Sequence, residues 1–377
     1  MKIIYFTTAM NNVDFQEFNK QWKFSLNPSN QNFHFNLIHS LAINNTVEVI
    51  SVRPYSKKVL KASLQAKEIK DENISWHYVS RKSKFDNLIS KVLALNIRKT
   101  KGCIILVDTM NLKLLLTAKF YGKQRNIPVI GICTDSPFNL TSVKKRRAKL
   151  MMRKARNLKG YICLTEGLNA LYNKKQRPYV VINGVSNNFE IDKKLNFGNY
   201  ILFAGSLLRK YGVYKLIDAV NMLKKLDFKL VICGHTQEED FLTKISNNSK
   251  INYLGCVDQQ TLATLEYHAL MCVNPRPLDE DLDNLSFPSK IIEYLNNSRL
   301  VISTKDPLLM PLFKTHIIWV DSLDSESFSQ TIQFALEKDK KDVNDNKEKV
   351  QQIIAENYSP EIVNKKLNAF LNSFVRK

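Results

Sequence analysis

The sequence predicts an α/β protein of two Rossmann-like, doubly wound domains. Three observations point that way. Residues 1–185 alternate short apolar runs with helix-length stretches, residues 186–199 (SNNFEIDKKLNFGN) are polar without a hydrophobic period, and from Tyr200 the alternation resumes. Alternation of this kind builds a parallel sheet covered on both faces, and 377 residues are enough for two cores. The expected division is a domain over 1–185, a linker over 186–199, a second domain over 200–357 and a terminal helix over 358–377.

In the first half, strands are expected at Ile3–Thr7, Val47–Val52, Trp76–Ser80, Cys103–Val107, Val129–Thr134 and Tyr161–Thr165. Helices are expected at Phe33–Ile43, Lys84–Arg98, Asn111–Arg125 and Val143–Asn157. Ligands of such sheets bind beyond the carboxyl ends of the strands, which singles out Asn11, Asn12, Asp108, Asp135, Glu166 and Asn183. No G-x-G-x-x-G follows the first strand, so a dinucleotide fingerprint is missing; Met10-Asn11-Asn12 and a long polar insert stand there instead. Asp135 opens Asp-Ser-Pro-Phe-Asn. It can orient or deprotonate an acceptor hydroxyl, or it can cap its own loop as an Asx turn; both readings stand.

The net charge of +21 is uneven. Residues 1–195 hold 34 Lys and Arg against 12 Asp and Glu, whereas residues 196–377 hold 22 against 23. The densest cluster is the helix within TSVKKRRAKLMMRKARNLKGY. Val143, Ala148, Met151, Met152, Ala155 and Leu158 form its apolar stripe, and Lys144, Lys145, Arg146, Arg147, Lys149, Arg153, Lys154 and Arg156 cover the rest. A basic amphipathic helix of this kind suits an anionic membrane surface, and the stripe can pack on the sheet while the charges face lipid. Single-strand nucleic-acid binders interleave aromatics with cations, but residues 142–159 contain none, so nucleic acid is not the expected partner.

The second half opens with a strand at Tyr200–Ala204, the loop Gly205-Ser206-Leu207-Leu208-Arg209-Lys210-Tyr211-Gly212 and a helix from Val213 to about Leu226. Leu230–Cys233 is the next strand, ending in Gly234-His235; Ile251–Gly255 and Met271–Val273 follow. Then comes the most informative stretch, VNPRPLDEDLDNLSFPSKIIEYLNNSRLVIST. Two prolines stop the strand, an acidic loop (Asp279, Glu280, Asp281, Asp283) follows, and Ser286 is expected to cap a helix with Pro288 in its first turn. On that helix Lys290 and Glu293 share one face, while Ile291, Ile292 and Leu295 face the core. A helix start beside a lysine, with a carboxylate one turn in, suits a diphosphate and the hydroxyls of a ribose. Arg299–Thr304 reads as a strand, and Phe328–Lys338, Val343–Glu356 and Ile362–Phe374 as helices.

Ser286-Phe287-Pro288-Ser289-Lys290, followed by Glu293-Tyr294 and a strand, resembles the nucleotide-sugar site of retaining glycosyltransferases of the GT-B fold, family 4 type. The resemblance implies two Rossmann-like domains facing across a cleft, with the last helix crossing back onto the first. It implies that Arg209 and Lys210, in the loop of Gly205 and Ser206, grip the donor diphosphate, with Ser206 in place of the usual arginine. Gly234 and His235 would lie under the base and Glu293 on the ribose. The family's first glutamate would fall at Leu285, so Asn284 or the acidic loop would take over its contacts. Ser286, Ser289 and Lys290 complete the donor site; Asn12, Gln31, His34 and Asp135 fall on the acceptor side. Lys210, Lys290 and Asp135 are the residues expected to carry the chemistry, with retention of configuration and neither metal nor cofactor.

The expected function is therefore sugar transfer from a nucleotide-diphosphate sugar to a polyprenyl-linked or saccharide acceptor in capsule or exopolysaccharide synthesis. A nucleotide-sugar epimerase of the same fold is the alternative; a basic nucleic-acid-binding protein is a third. The six cysteines are scattered without a C-x-x-C pair, as in a reduced, cytosolic protein. MKIIYFTTAMNN reads as a first strand rather than a signal peptide, and no apolar run nears the length of a membrane span. Together these place the protein in the cytoplasm, peripherally on the inner membrane face.

Overall fold

The structure, a computed structural model, describes residues 1–22, 28–52, 70–71, 73–79, 87–140, 143–194, 197–224, 227–236, 238–278 and 284–375. It divides into two compact units. Unit 1 comprises Met1–Val185, Asn284–Phe287 and Ser359–Lys377, and unit 2 comprises Ser186–Asp283 and Pro288–Tyr358.

Unit 1 carries strands β1 (Lys2–Thr7), β2 (Thr46–Val52), β3 (Lys70–Asp71), β4 (Ile74–Val79), β5 (Cys103–Asp108), β6 (Val129–Cys133), β7 (Gly160–Cys163) and β8 (Tyr179–Val181). Its helices are α1 (Asn12–Trp22), α2 (Pro28–Ala42), α3 (Leu88–Ala94), α4 (Leu112–Arg125), α5 (Lys145–Ala155) and α6 (Glu166–Tyr172). The sheet order is β3-β4-β2-β1-β5-β6-β7-β8, parallel except for the β3–β4 pair. Central strands such as β5 and β6 are buried along their whole length, which explains the apolar runs Cys103–Val107 and Val129–Cys133.

Local chemistry moves several boundaries. The polar insert after β1 is helical at its start because Asn11 caps it: its side chain accepts from the Val13 N–H at 3.0 Å and its carbonyl from the Phe15 N–H at 2.9 Å. The helix expected over Lys84–Arg98 is confined to α3, where the Asn87 side chain accepts from the N–H groups of Ile89 and Ser90; residues 84–86 lie outside the described residues.

Unit 2 holds β9 (Tyr200–Ala204), β10 (Lys229–Cys233), β11 (Ile251–Gly255), β12 (Met271–Asn274), β13 (Val301–Thr304) and β14 (Ile318–Val320). Its helices are α7 (Val213–Met222), α8 (Glu239–Ile245), α9 (Gln259–His268), α10 (Lys290–Asn297), α11 (Met310–Phe313), α12 (Ser325–Leu336) and α13 (Lys340–Tyr358). The strands run parallel in the order β11-β10-β9-β12-β13-β14. Ile201, Leu216, Ile217, Leu230, Ile232, Met271 and Ile302 are among the residues of its core. Residues 186–192 are fastened to this unit: the Ser186 N–H donates to the Tyr358 carbonyl at 2.8 Å, and the Asp192 N–H to Thr264 Oγ1 at 3.3 Å.

The last helix, α14 (Pro360–Asn372), counts with unit 1, where Asn45 Nδ2 donates to Asn368 Oδ1 at 2.9 Å. Phe370 and Phe374 fill the space beside Gly160 that a side chain there would need. All six cysteines are unpaired and only Cys256 is exposed. Among the described residues no helix is long and apolar enough to cross a membrane.

Candidate functional site

In unit 2 the strand order reverses between β9 and β12, which is where ligands of open α/β sheets bind. β12 is last in register with β9 at Cys272–Leu202, so Ala204 lies beyond the paired stretch on that side. Tyr294 of α10 fills the gap. Its buried hydroxyl accepts from the Ala204 N–H at 2.7 Å and donates to the Ala204 carbonyl at 3.1 Å. Ile291, Ile292, Tyr294 and Leu295 bury one face of α10, which leaves Lys290 and Glu293 on the other.

Two glycines draw the neighbouring loops together. Gly234 has φ +146°, and a Cβ there would stand 1.9 Å from the Gly205 carbonyl oxygen. The Gly205 N–H donates to the Cys233 carbonyl at 3.0 Å and the Leu207 N–H to that of His235 at 3.2 Å, so Gly205 and Ser206 lie against Gly234 and His235. Gly212 has φ +82°, and a Cβ there would meet the Pro275 carbonyl oxygen at 1.9 Å. The backbone can come this close only because neither residue has a side chain.

The cations differ in how they are compensated. Arg209 pairs with Asp240, its Nε lies 3.9 Å from Glu238, and its guanidinium lies 4.1 Å from the Tyr214 ring centroid. Lys210 is exposed and has no carboxylate within ion-pair distance among the described residues. Lys290 stands between two carboxylates: it pairs with Glu293 and lies 3.5 Å from Glu266 Oε1. Burial opposes the Lys290 charge, but Glu293 and Glu266 outweigh it and hold the ammonium above the ordinary lysine value. Glu266, on α9, is 1 % exposed, and burial pushes it up to about 7 against the pull of Lys290. Nothing in the sequence marks Glu266 except an acid in the otherwise apolar-rich TLATLEYHALMCV.

The helix start differs from expectation. α10 begins at Lys290, and Ser289 precedes it without a side-chain cap. Ser286 and Pro288 lie outside the helix, because a proline keeps the residue before it out of the helical region. The Ile291 N–H is taken by the Pro288 carbonyl at 2.9 Å and the Ile292 N–H by that of Ser289 at 3.2 Å. Asn284 and Ser286 count with unit 1, apart from the other expected donor residues. There Thr165 Oγ1 donates to the Asn284 carbonyl at 2.8 Å, beside Gly167, whose Cβ would stand 2.1 Å from that oxygen. The acidic loop, Asp279, Glu280, Asp281 and Asp283, lies outside the described residues.

In unit 1, Gln31 holds the turn after β1, accepting from the Met10 N–H at 2.9 Å and donating to its carbonyl at 2.6 Å. His34 is wholly buried: Nδ1 meets the Tyr5 hydroxyl at 2.7 Å and Nε2 lies 3.6 Å from Asp108. Burial lowers the His34 pKa, more than Asp108 raises it. Asn12 is the first residue of α1. Asp135 Oδ1 accepts from the Ser136 N–H at 2.6 Å and from Asn139 Nδ2 at 2.8 Å, the bonds of a loop cap.

On α5 the stripe of Ala148, Met151, Met152 and Ala155 is buried. Lys144, Lys145, Arg146, Arg147, Lys149 and Arg153 are exposed, and Lys154 and Arg156 half-buried. Lys149, Arg153 and Arg156 line a groove of about 580 Å³ with Lys174 and Lys175, two cations that the helical pattern did not reveal. Arg156 is fixed by its bonds to the Leu171 carbonyl, and Lys175 Nζ donates to Asn157 Oδ1 at 2.6 Å.

Comparison with known proteins adds to this geometry. Residues 185–352 match the model of the family described as glycosyl transferases group 1. Sucrose-phosphate synthase from Thermosynechococcus elongatus superimposes with a TM-score of 0.69 at 12% identity, over 100% of both chains. Anabaena HepE in complex with UDP-glucose gives 0.68 at 13%, over 99% of this chain and 100% of its own. The fold is GT-B. A third GT-B structure, α,α-trehalose 6-phosphate synthase from Burkholderia multivorans, gives 0.65 at 11%, over 100% of this chain and 99% of its own. No curated protein matches in sequence. The glycosyl transferases group 1 segment takes in Gly205, Lys210, Gly234, Glu266, Lys290 and Glu293.

Proposed function

We propose that the protein is a retaining, metal-independent glycosyltransferase of the family 4 type. It moves a sugar from a nucleotide-diphosphate sugar to a polyprenyl-linked or saccharide acceptor in capsule or exopolysaccharide synthesis. The observation that carries this is the placing of Lys290 and Glu293 on α10, which Tyr294 fastens to the end of β9 at the strand-order reversal of unit 2. In this reading Lys210 and Lys290 neutralise the departing diphosphate, where charge develops as the glycosidic bond breaks. Glu293 accepts from the ribose, and Gly205, Ser206, Gly234 and His235 let the nucleotide approach backbone. Asp135 orients the acceptor hydroxyl. The exposed cations of α5 hold the protein at an anionic membrane surface on the cytoplasmic side, close to a lipid-borne acceptor.

Anabaena HepE forms a complex with UDP-glucose, which makes UDP-linked donors the first to try. Labelled UDP-, GDP- and dTDP-sugars incubated with extracted lipid acceptor should yield a labelled lipid, in the presence of EDTA as in its absence. No transfer from any donor contradicts the proposal. Donor turnover in the acceptor-free control would indicate an epimerase instead.

A further inference from the structure

We propose that Glu266 positions Lys290 in the free protein and takes up a proton when Lys290 turns to the diphosphate of a bound nucleotide sugar, a step that rests on the role proposed for Lys290 above. The two oxygens of Glu266 are held differently. Oε2 accepts from Asn297 Nδ2 at 2.7 Å, whereas Oε1 is buried without a hydrogen-bond partner and faces Lys290 Nζ at 3.5 Å. Lys290 is the one cation within ion-pair distance of Glu266 among the described residues. Its side chain is 27% exposed against 1% for Glu266, so the ammonium can reach a ligand and the carboxylate cannot.

Lys290, Glu293, Tyr294 and Asn297 of α10 surround this carboxylate, with Cys272 of β12 and Cys233 of β10 beyond. Burial pushes both thiols and the Tyr294 phenol up, so they stay neutral near pH 7 and supply no compensating charge. Two carboxylates thus share a single ammonium in the free protein. When a diphosphate draws that ammonium toward itself, Glu266 is left buried beside Glu293 with no cation. A carboxylate in that position neutralises by taking a proton from solvent, since an isolated charge is far costlier to bury. No bond of the donor is made or broken in this step.

The test is calorimetric titration of UDP-glucose, ADP-glucose, dTDP-glucose and GDP-mannose, whose diphosphate diesters have no ionisation near neutrality. Each is titrated in buffers of different ionisation enthalpy, at about pH 8 and about pH 5.5. The wild type is expected to take up about one proton per donor at the higher pH and almost none at the lower, where Glu266 already carries its proton. Glu266→Gln removes the uptake and Glu266→Asp restores it. Binding by the wild type at the higher pH without proton uptake overturns the proposal, whether or not Glu266→Gln folds. Uptake that persists in a folded Glu266→Gln overturns it as well. Failure of all four donors to bind is a different result, and removes the nucleotide-sugar reading itself.

Discussion

The hydroxyl of Tyr294 satisfies both backbone polar groups of Ala204, at 2.7 and 3.1 Å, where the strand that should pair with them has already diverged. One side chain thereby fixes α10, and with it Lys290 and Glu293, to the end of β9. Tyr294→Phe keeps the ring and leaves a buried N–H and carbonyl unpaired. It should destabilise unit 2 by about 2–3 kcal/mol in urea denaturation, and weaken nucleotide binding along with it. A change below about 0.5 kcal/mol would show that the bonds do not hold the helix.

Gly212 is held at φ +82° with the Pro275 carbonyl oxygen where its Cβ would be. Gly212→Ala should therefore shift the loop that carries Lys210 and destabilise the protein by more than about 2 kcal/mol, combining backbone strain with a steric clash. Thermal melting and nucleotide titration of the same variant check both effects. An unaltered melt would mean that the two loops are free to separate.

Much of this was legible in the sequence, because alternating apolar runs determine a parallel sheet and because Lys290 and Glu293 lie only three residues apart. Contacts across long stretches of chain were not. That Arg209 pairs with Asp240, 31 residues on, could not be read from the loop that carries it. Glu266 becomes visible only when α9 and α10 are packed together. α1 went unseen because polar residues dominate it, although Phe15, Phe18 and Trp22 stand at helical spacing, and β8 and β14 because three residues are too few to show a pattern. The cap expected at Ser286 failed for a local reason: Pro288 disfavours helical backbone at Phe287, the residue before it.

Glu48 of β2 is bonded by His77 at 2.7 Å and Lys2 at 2.9 Å. The His77 bond, ahead of Lys2 and against burial, lowers it from 4.5 to about 2. A carboxylate whose pKa falls on folding stabilises the fold above its unfolded value and loses that contribution as pH drops through the folded one. Glu48→Gln should therefore cost at most about 3 kcal/mol at neutral pH. The gap from wild type should close between about pH 4.5 and pH 2. A gap that stays constant across that window would contradict the assignment.

The five exposed cations of α5, with Lys144 just before it, lead to a third kind of measurement. Lys145→Gln, Arg146→Gln and Lys149→Gln together remove three charges, each contributing about 1 kcal/mol near an anionic bilayer. Partitioning onto phosphatidylglycerol vesicles should fall on the order of a hundredfold, and binding of the wild type should weaken steeply with added salt. Vesicle binding that is insensitive to both would remove the membrane role from this helix.

The central claim is that unit 2 holds a nucleotide diphosphate through the ammonium of Lys290. Titration of UDP, GDP, ADP and dTDP into the wild type and into Lys290→Ala tests it most directly. At least one nucleotide should bind the wild type, and Lys290→Ala should bind that nucleotide at least about tenfold more weakly, as expected for the loss of a charge-assisted contact to phosphate. Equal affinity in the two proteins would contradict the account.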